Sequence, residues 1–266
     1  MTIFKDLFKD LYKYRELLKT NTKKEIRGKY KASVLGVLWS FINPLLQVLV
    51  YAIVFPFIMR GAGTDNYIVY LITGIIPWTF FTNVVSGGTP CIKYNAGIIK
   101  KVYFPREILP ISLCLSALIN FGISCIIILI FCVVFGVGIT PYVLLVPIVA
   151  IVQTILSLGI IFILSALNVY VQDIEHIVGF ILQMGFYGTP IIYDLKAYTS
   201  TSHATLMKLI NLNPLTTIVN SYRDLFLYHT MPNWTDLTIV FVLGLVVLVL
   251  GYKIFKKLEK GFAEEL

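Results

Sequence analysis

The chain alternates long runs that contain no Asp, Glu, Lys or Arg with short segments in which charge is gathered. Ala32 to Met59 gives 28 such residues, Asn66 to Ile92 gives 27, and Ile108 to Gln172 gives 65. About 20 apolar residues in a helix cross the hydrocarbon core of a bilayer, so the first two runs predict one crossing each. The third would measure about 100 Å as one helix, roughly three cores, and Gly136, Gly138 and Pro141 fall where a hairpin would divide it. It predicts two crossings. Ile177 to Tyr193 (17 residues) and Leu237 to Tyr252 (16 residues) bring the expectation to six. The second of these is uniformly apolar. The first contains Gly179, Gly185, Gly188 and Pro190, a composition that suits a broken or re-entrant segment.

Outside these runs the pattern changes. Ile3, Phe4, Leu7, Phe8, Leu11, Tyr14 and Leu18 share one helical stripe, Lys5, Lys9, Lys13 and Lys19 lie toward another, and Thr2 suits an N-cap. Such a helix lies in the membrane interface and not across it. Thr20-Asn21-Thr22 predicts a break, after which a basic stretch, Lys23 to Lys31, leads into the first crossing. The chain thus divides into a cytoplasmic amphipathic helix with a basic linker, 1–31, and a transmembrane domain, 32–266. Between the fifth and sixth crossings, Leu206 to Val219 is apolar but interrupted by Asn211, Asn213 and Pro214, and Arg223-Asp224 follows. That pattern fits helices dipping into the outer leaflet, or a helical cap lying on the membrane. The fold class expected is an all-α integral membrane protein with six crossings, an interfacial N-terminal helix and re-entrant helices before the last crossing.

Composition agrees: 58% of the 266 residues are hydrophobic and 14% charged, against roughly 45–50% and 25% in soluble domains. With both termini cytoplasmic, 18 of the 22 Lys and Arg residues fall inside, at 1–33, 90–107 and after Tyr252. Four fall outside: Arg60, Lys196, Lys208 and Arg223. The net charge of +8 then finds its partner in anionic membrane lipid and needs no nucleic acid. The basic, amphipathic start lacks the short apolar core of a cleavable signal peptide.

Candidate chemistry is sparse. Cys91, Cys114, Cys125 and Cys132 form no C-x-x-C pair and read as membrane-buried single thiols, with no metal site. There is no G-x-x-x-x-G-K-[ST] phosphate loop. His176, His203 and His229 are scattered on expected loops, where a solvated histidine is the default. The crossings carry almost no charge, which argues against coupling to an ion gradient. Asp173 and Glu175, beside His176, are the one close acidic pair of the kind a membrane glycosyltransferase or acyltransferase would use. Two apart on a short loop, they better suit capping the next helix or touching a partner. Trp39, Tyr51, Phe55, Trp78, Phe81 and Tyr193 fit interfacial belts and packing, and aromatic faces also suit a path for sugar.

The run Arg27-Gly-Lys-Tyr-Lys-Ala-Ser-Val-Leu-Gly-Val-Leu-Trp-Ser-Phe-Ile-Asn-Pro44 resembles the start of the first span in polysaccharide and teichoic-acid ABC exporter permeases. Further matches keep the same order: Gly74-Ile-Ile-Pro-Trp-Thr-Phe-Phe81, Lys101-Val-Tyr-Phe-Pro-Arg-Glu107, Asn168 to His176, Thr189-Pro-Ile-Ile-Tyr193, Asn213-Pro214 and Arg223. Gln172-Asp173 stands where family members often have Arg-Asp.

The resemblance implies a half-transporter of the cytoplasmic membrane and not an enzyme. Two copies would pair with two separate P-loop ATPase subunits, which alone bind ATP and Mg, and move a lipid-linked glycan or teichoic-acid polymer outward. In such a family a short helix between the second and third spans docks on the ATPase, which nominates Lys93, Tyr94, Ile98, Lys100, Lys101 and Arg106, with Asp173 and Glu175 on the neighbouring loop. A polyprenyl carrier presents a pyrophosphate at the inner leaflet, and Arg27, Lys29, Tyr30 and Lys31 lie at headgroup depth with donors suited to it. The same residues also fit the positive-inside rule alone.

Overall fold

The computed structural model describes residues 9–28, 38–58, 66–194 and 204–266, and among these every regular element is helical. Helix α1 spans Arg15–Gly28, α2 Trp39–Ile58 and α3 Tyr67–Gly88. Two single-turn helices follow, α4 Cys91–Tyr94 and α5 Ala96–Ile99, then α6 Ile108–Val134 and α7 Val146–Tyr170. Helix α8 is Ile174–Tyr187, α9 Ala204–Leu212, α10 Pro214–Arg223, α11 Trp234–Leu258 and α12 Phe262–Glu265. Among the described residues four helices are long and apolar enough to cross a membrane: α3, α6, α7 with the 3-10 turn before it, and α11. The chain is therefore a multi-pass membrane protein. Helix α2 is a fifth apolar helix, 20 residues long and free of charge. Helix α8, with 14 residues, spans about 21 Å, short of the roughly 30 Å core. It stops at Gly188, within the segment whose glycines and proline suggested a break.

The hairpin expected inside the 65-residue run is present. Gly136 and Gly138 take φ of 74° and 83°, and Pro141 opens the turn into α7. The break expected at Thr20-Asn21-Thr22 is not. Helix α1 runs through these residues because the Thr22 hydroxyl donates to the Leu18 carbonyl one turn back and so does not compete for the helix amides.

Helix α3 is the central element, buried along most of its length, while α6 and α11 expose apolar rows such as Ile126 and Ile130, and Val242 and Val246. Two cores result. One, in the middle of the bundle, joins α3, α6, α7 and α10. The other lies at the end that carries residues 91–107, where Ile92, Phe104, Phe162, Phe255 and Phe262 pack with Leu11 and Leu18 of the N-terminal segment. In the first core a buried polar chain crosses three helices: Tyr222 OH donates to Gln153 Oε1 (3.0 Å), and Gln153 Nε2 donates to the Pro77 carbonyl (2.9 Å).

Helices α7 and α11 share the most extensive contact in the fold. Small residues make it possible, as they do wherever membrane helices must approach without a hydrophobic driving force. A Cβ on Gly159 would lie 2.6 Å from the Leu248 nitrogen, and one on Gly251 would collide with the Gly159 carbonyl.

At the opposite end from residues 91–107 the chain leaves helical geometry between Gly188 and Asp194, and side chains take over its carbonyls. Tyr67 OH donates to Ile192 O (2.9 Å), Tyr70 OH to Tyr193 O (2.7 Å) and Asn213 Nδ2 to Gly188 O (3.2 Å). Arg223, only 1% exposed, donates Nη1 to Pro190 O (2.5 Å) and Nη2 to Ile191 O (2.8 Å). Its guanidinium lies 3.6 Å from the centre of the Tyr70 ring and is seated against Gly74, where a Cβ would come within 2.8 Å of Nη2.

Two expected outcomes follow from this packing. Gly159→Val forces α7 and α11 apart and lowers stability by about 1–3 kcal/mol, read as thermal unfolding of the detergent-purified protein. Gly122→Ala, at a site with nothing within 4 Å, does not. Arg223→Met orphans two buried carbonyls and costs about 3 kcal/mol or more. Arg223→Lys recovers part of this, because an ammonium cannot present the fork that reaches both oxygens.

Candidate functional site

The end of the bundle that carries residues 91–107 gathers most of the residues nominated for coupling. Pro90 and Asn95 stand at the N-terminal boundaries of α4 and α5, and the Asn95 side chain folds back onto Cys91 O (2.8 Å), so the two turns form one bent unit. Lys93 Nζ donates to Gln172 Oε1 (3.0 Å), and Tyr94 OH donates to Glu175 Oε1 (3.2 Å), joining this unit to the turn between α7 and α8. The hydrogen bond to Glu175 and the charge of that carboxylate raise the Tyr94 phenol above its ordinary pKa. Lys24 of α1 donates to Asn95 Oδ1 (3.1 Å) from the other side. What remains facing outward is apolar and basic: Tyr94 is 72% exposed and Tyr103 90%, with Ile98, Lys100, Lys101 and Val102 exposed between them.

Two nominated residues and one histidine stand differently from the expectation. Arg106 turns away from this face, donates to the Glu259 backbone carbonyl and lies over the Phe262 ring. Asp173 occupies the N-cap position of α8, but its side chain makes no capping bond, and the acidic residue with a partner here is Glu175. His229 is not a solvated loop residue: with φ of 54° it bridges the Thr140 hydroxyl (3.1 Å) and the Val137 carbonyl (3.0 Å).

Sequence reasoning missed Glu107. Its carboxylate is fully buried and pairs with Lys256 Nζ at 2.9 Å, while Tyr252 OH donates to it at 3.4 Å. Lys256 also reaches Glu259 (3.1 Å), and Tyr170 OH donates to Leu258 O (2.8 Å). The start of α6 and the end of α11 are thereby pinned together beneath the exposed face. The one available signal was an acid at the very edge of a 65-residue uncharged run, with a basic residue one turn past the last apolar run.

Of the aromatic candidates, Tyr51, Trp78 and Phe81 come together within one core. Trp78 lies 5.8 Å from Phe81 and 5.9 Å from Phe186, and Phe186 lies 5.8 Å from Tyr51, ring centre to ring centre. Trp78 and Phe81 are buried there. Tyr193 serves the helix break, with its hydroxyl donating to Tyr187 O (2.9 Å), and Trp39 is exposed at the start of α2. Arg27 sits exposed in the last turn of α1. Lys29, Tyr30, Lys31 and the side chain of Phe55 lie outside the described residues.

At the opposite end, α10, α11 and the break after α8 enclose a pocket of about 730 Å³ whose polar wall includes Arg223, Asn220 and Asp224. Asn213 caps α10, accepting from the Leu215 amide (3.0 Å), with Pro214 in the first turn. Among the described residues, no group of three or more His, Cys, Asp or Glu side chains is placed to hold a metal ion, and all four cysteines are free thiols.

Comparison with known proteins bears on a bundle of this design. The ABC-2 type transporter family matches residues 16–227. An O-antigen export system permease protein RfbA of Myxococcus xanthus is 34% identical over 260 residues, covering 98% of this chain and 99% of its own. One of the same name from Klebsiella pneumoniae is 36% identical, covering 94% and 95%. The polysialic acid transport protein KpsM of Escherichia coli is 22% identical over 243 residues, covering 90% and 92%. These relatives are transport permeases and not the glycosyltransferases or acyltransferases that a membrane-bound acidic pair also suggested. With a transporter profile spanning most of its length and full-length relatives above 30% identity, this multi-pass helical chain belongs to the ABC-2 type transporter family.

Proposed function

We propose that this chain is the membrane half of an ATP-driven exporter that moves a lipid-linked polysaccharide or teichoic-acid polymer outward across the cytoplasmic membrane. The observation that carries this reading is the exposed face built by α4, α5 and the turn before α8. It leaves apolar and basic side chains exposed while the side chains of Lys93, Tyr94 and Asn95 tie it to α1, to the turn after α7 and to α8. A rigid unit of this kind transmits force from a docked subunit into the bundle, and the partner that fits is a P-loop ATPase, which supplies ATP and Mg binding that this chain's motifs do not. The names of the relatives support a polysaccharide as cargo, with O-antigen-like polymers ahead of teichoic acid.

Two copies of the chain with two ATPase subunits complete the machine in this reading. Apolar residues exposed on α2 and α8, such as Leu49 and Ile53, and Phe180 and Met184, support a second copy as their cover. Helix α2 and the broken α8 join the four long helices to give six crossings, with α9 and α10 as re-entrant elements in the outer leaflet. The 18-to-4 division of Lys and Arg supports cytoplasmic termini, residues 1–31 as an interfacial unit, and residues 32–266 as the transmembrane domain. Arg27, Lys29, Tyr30 and Lys31 are then the head-group site for the carrier's pyrophosphate, and the Tyr51–Trp78–Phe81 cluster backs the sugar path.

Substituting Tyr94 and Ile98 with Asp is expected to leave ATPase activity of the assembled complex in place and to lower polymer export by about tenfold. Export at the wild-type level with normal assembly would remove the coupling assignment. Topology has its own check. On a background with Cys91, Cys114, Cys125 and Cys132 replaced, an impermeant thiol reagent applied outside should label cysteines placed at positions 64 and 200 and spare those at 20 and at the exposed position 264. Outside labelling at 264 contradicts the six-span arrangement.

A further inference from the structure

Backbone hydrogen bonds carry the exposed face as far as Val102, whose amide donates to Ile98 O (3.0 Å), and resume at Ile108, whose amide donates to Pro105 O (3.2 Å). Among the described residues, side chains hold the stretch between. Tyr103 is 90% exposed, while Phe104 is buried in the core it shares with Phe255 and Phe262. Arg106 donates to the Glu259 carbonyl and lies 5.8 Å from the centre of the Phe262 ring, within cation–π range, and Glu107 pairs with Lys256. Both polar holds reach the same place, the end of α11 and the segment after it.

That segment is not ordered by its own length. It consists of a 3-10 turn, Glu259–Gly261, and the single turn of α12, and in water a helix shorter than about 12–15 residues is marginal by itself. Packing fixes it. The Phe262 ring is fully buried, with its centre 5.6 Å from that of Phe255 and 6.4 Å from that of Tyr170. Tyr170 OH donates to Leu258 O (2.8 Å), and a Cβ on Gly261 would come within 2.4 Å of that hydroxyl, so the turn closes only with glycine there. Lys256 completes the set by reaching Glu259 as well as Glu107.

The two sides of the exposed face are therefore held unequally. Lys24, Lys93 and Tyr94 tie one side through hydrogen bonds at exposed or half-buried positions, where water competes for both partners. The other side is held through a buried ring and a buried carboxylate, and it is the stiffer of the two. We propose that residues 259–265 are a strap for the coupling face and that Phe262 and Arg106 are its positioning residues. With Phe262 seated, Arg106 keeps the 100–105 stretch rigid beneath a docked subunit and passes its displacement to α11. This inference deepens the coupling assignment made above and rests on it.

Release of the strap is read by a nitroxide on Tyr103→Cys in the full chain, on the background with the four native cysteines replaced. Phe262→Ala and Arg106→Leu should each shift its line shape from restricted to mobile, and Arg106→Lys, which keeps a cation and a donor, should recover part of the restriction. A nitroxide on Ile126→Cys, exposed further along α6, should not change. Phe262 lies beyond the last long helix, so its loss frees the tail and leaves the bundle folded, which thermal unfolding in detergent checks. Arg106→Leu removes no core side chain and decides the mobility result should Phe262→Ala fail to fold. In the complex assembled with its ATPase, Phe262→Ala should lower polymer export about tenfold while ATP hydrolysis persists. A restricted signal at position 103 in the folded variants overturns the proposal. Normal export in Phe262→Ala, beside a loss in the chain carrying Tyr94→Asp and Ile98→Asp, removes the strap alone; normal export in that second chain removes the coupling assignment and the strap with it.

Discussion

A helix that ends inside a membrane protein leaves carbonyls with no water to receive them, and this fold depends on how the stretch after Gly188 meets that constraint. Each unmet group costs several kcal/mol in such surroundings. The chain brings a guanidinium from α10, two tyrosine hydroxyls from α3 and an amide from Asn213 to the carbonyls of Gly188 and Pro190 to Tyr193. Arginine fits because its planar fork reaches two neighbouring oxygens at once, and its face can lie against Tyr70 while its edge does so. The α8 break, the first turns of α3 and the whole of α10 are held in one arrangement by this set. The walls of the pocket beyond it inherit their positions from the same bonds.

The other end is built on a different principle. There the buried charge is a carboxylate, Glu107, compensated by Lys256 and Tyr252. A buried ion pair of this kind adds little net stability over apolar packing, yet removing one partner is severely destabilising. Its effect is to fix the register of α6 against α11 at the level where α4 and α5 bend across the bundle. Between the two ends, α3, α7 and α11 form the rigid spine, with Gly159 and Gly251 setting the helix separation and Gln153 tying α10 to the backbone of α3. A push on Tyr94 or Ile98 therefore meets elements that are continuous through the thickness of the molecule.

Much of the candidate site could be read from residue order, and the misreadings have local causes. The basic connection at 91–107 stands out because charge is rare in this chain, and its helical turns carry the exposed Tyr94 and Ile98. Arg106 was grouped with it by adjacency, but the chain turns at Arg106 and Glu107 ahead of α6, and the guanidinium finds the Glu259 carbonyl just past the end of α11. Thr20-Asn21-Thr22 looked like a break because such residues compete with helix bonds, whereas Thr22 spends its hydroxyl on the preceding turn. His229 lies in a loop by sequence, but it is brought against the 136–141 hairpin by packing across the bundle. Glu107 could not be weighed at all without its partner, which lies 149 residues away.

What the sequence determined by itself is whatever depends on distance along the chain. The membrane setting, the long helices, the hairpin at Gly136 and Gly138 and the interruption around Gly188 and Pro190 all follow from run lengths and from residues with restricted or permissive backbones. The tertiary structure alone decided which distant groups meet. Arg223 appears in the sequence as one of four basic residues expected outside and as one of the positions that carry the family resemblance, with nothing to say what it meets. Only the folded chain makes it the donor that closes the break after α8. The physical reason is that burying a charge is favourable or ruinous according to its partners, and in a chain of 266 residues those partners come from helices whose arrangement is fixed by packing and not by sequence neighbourhood.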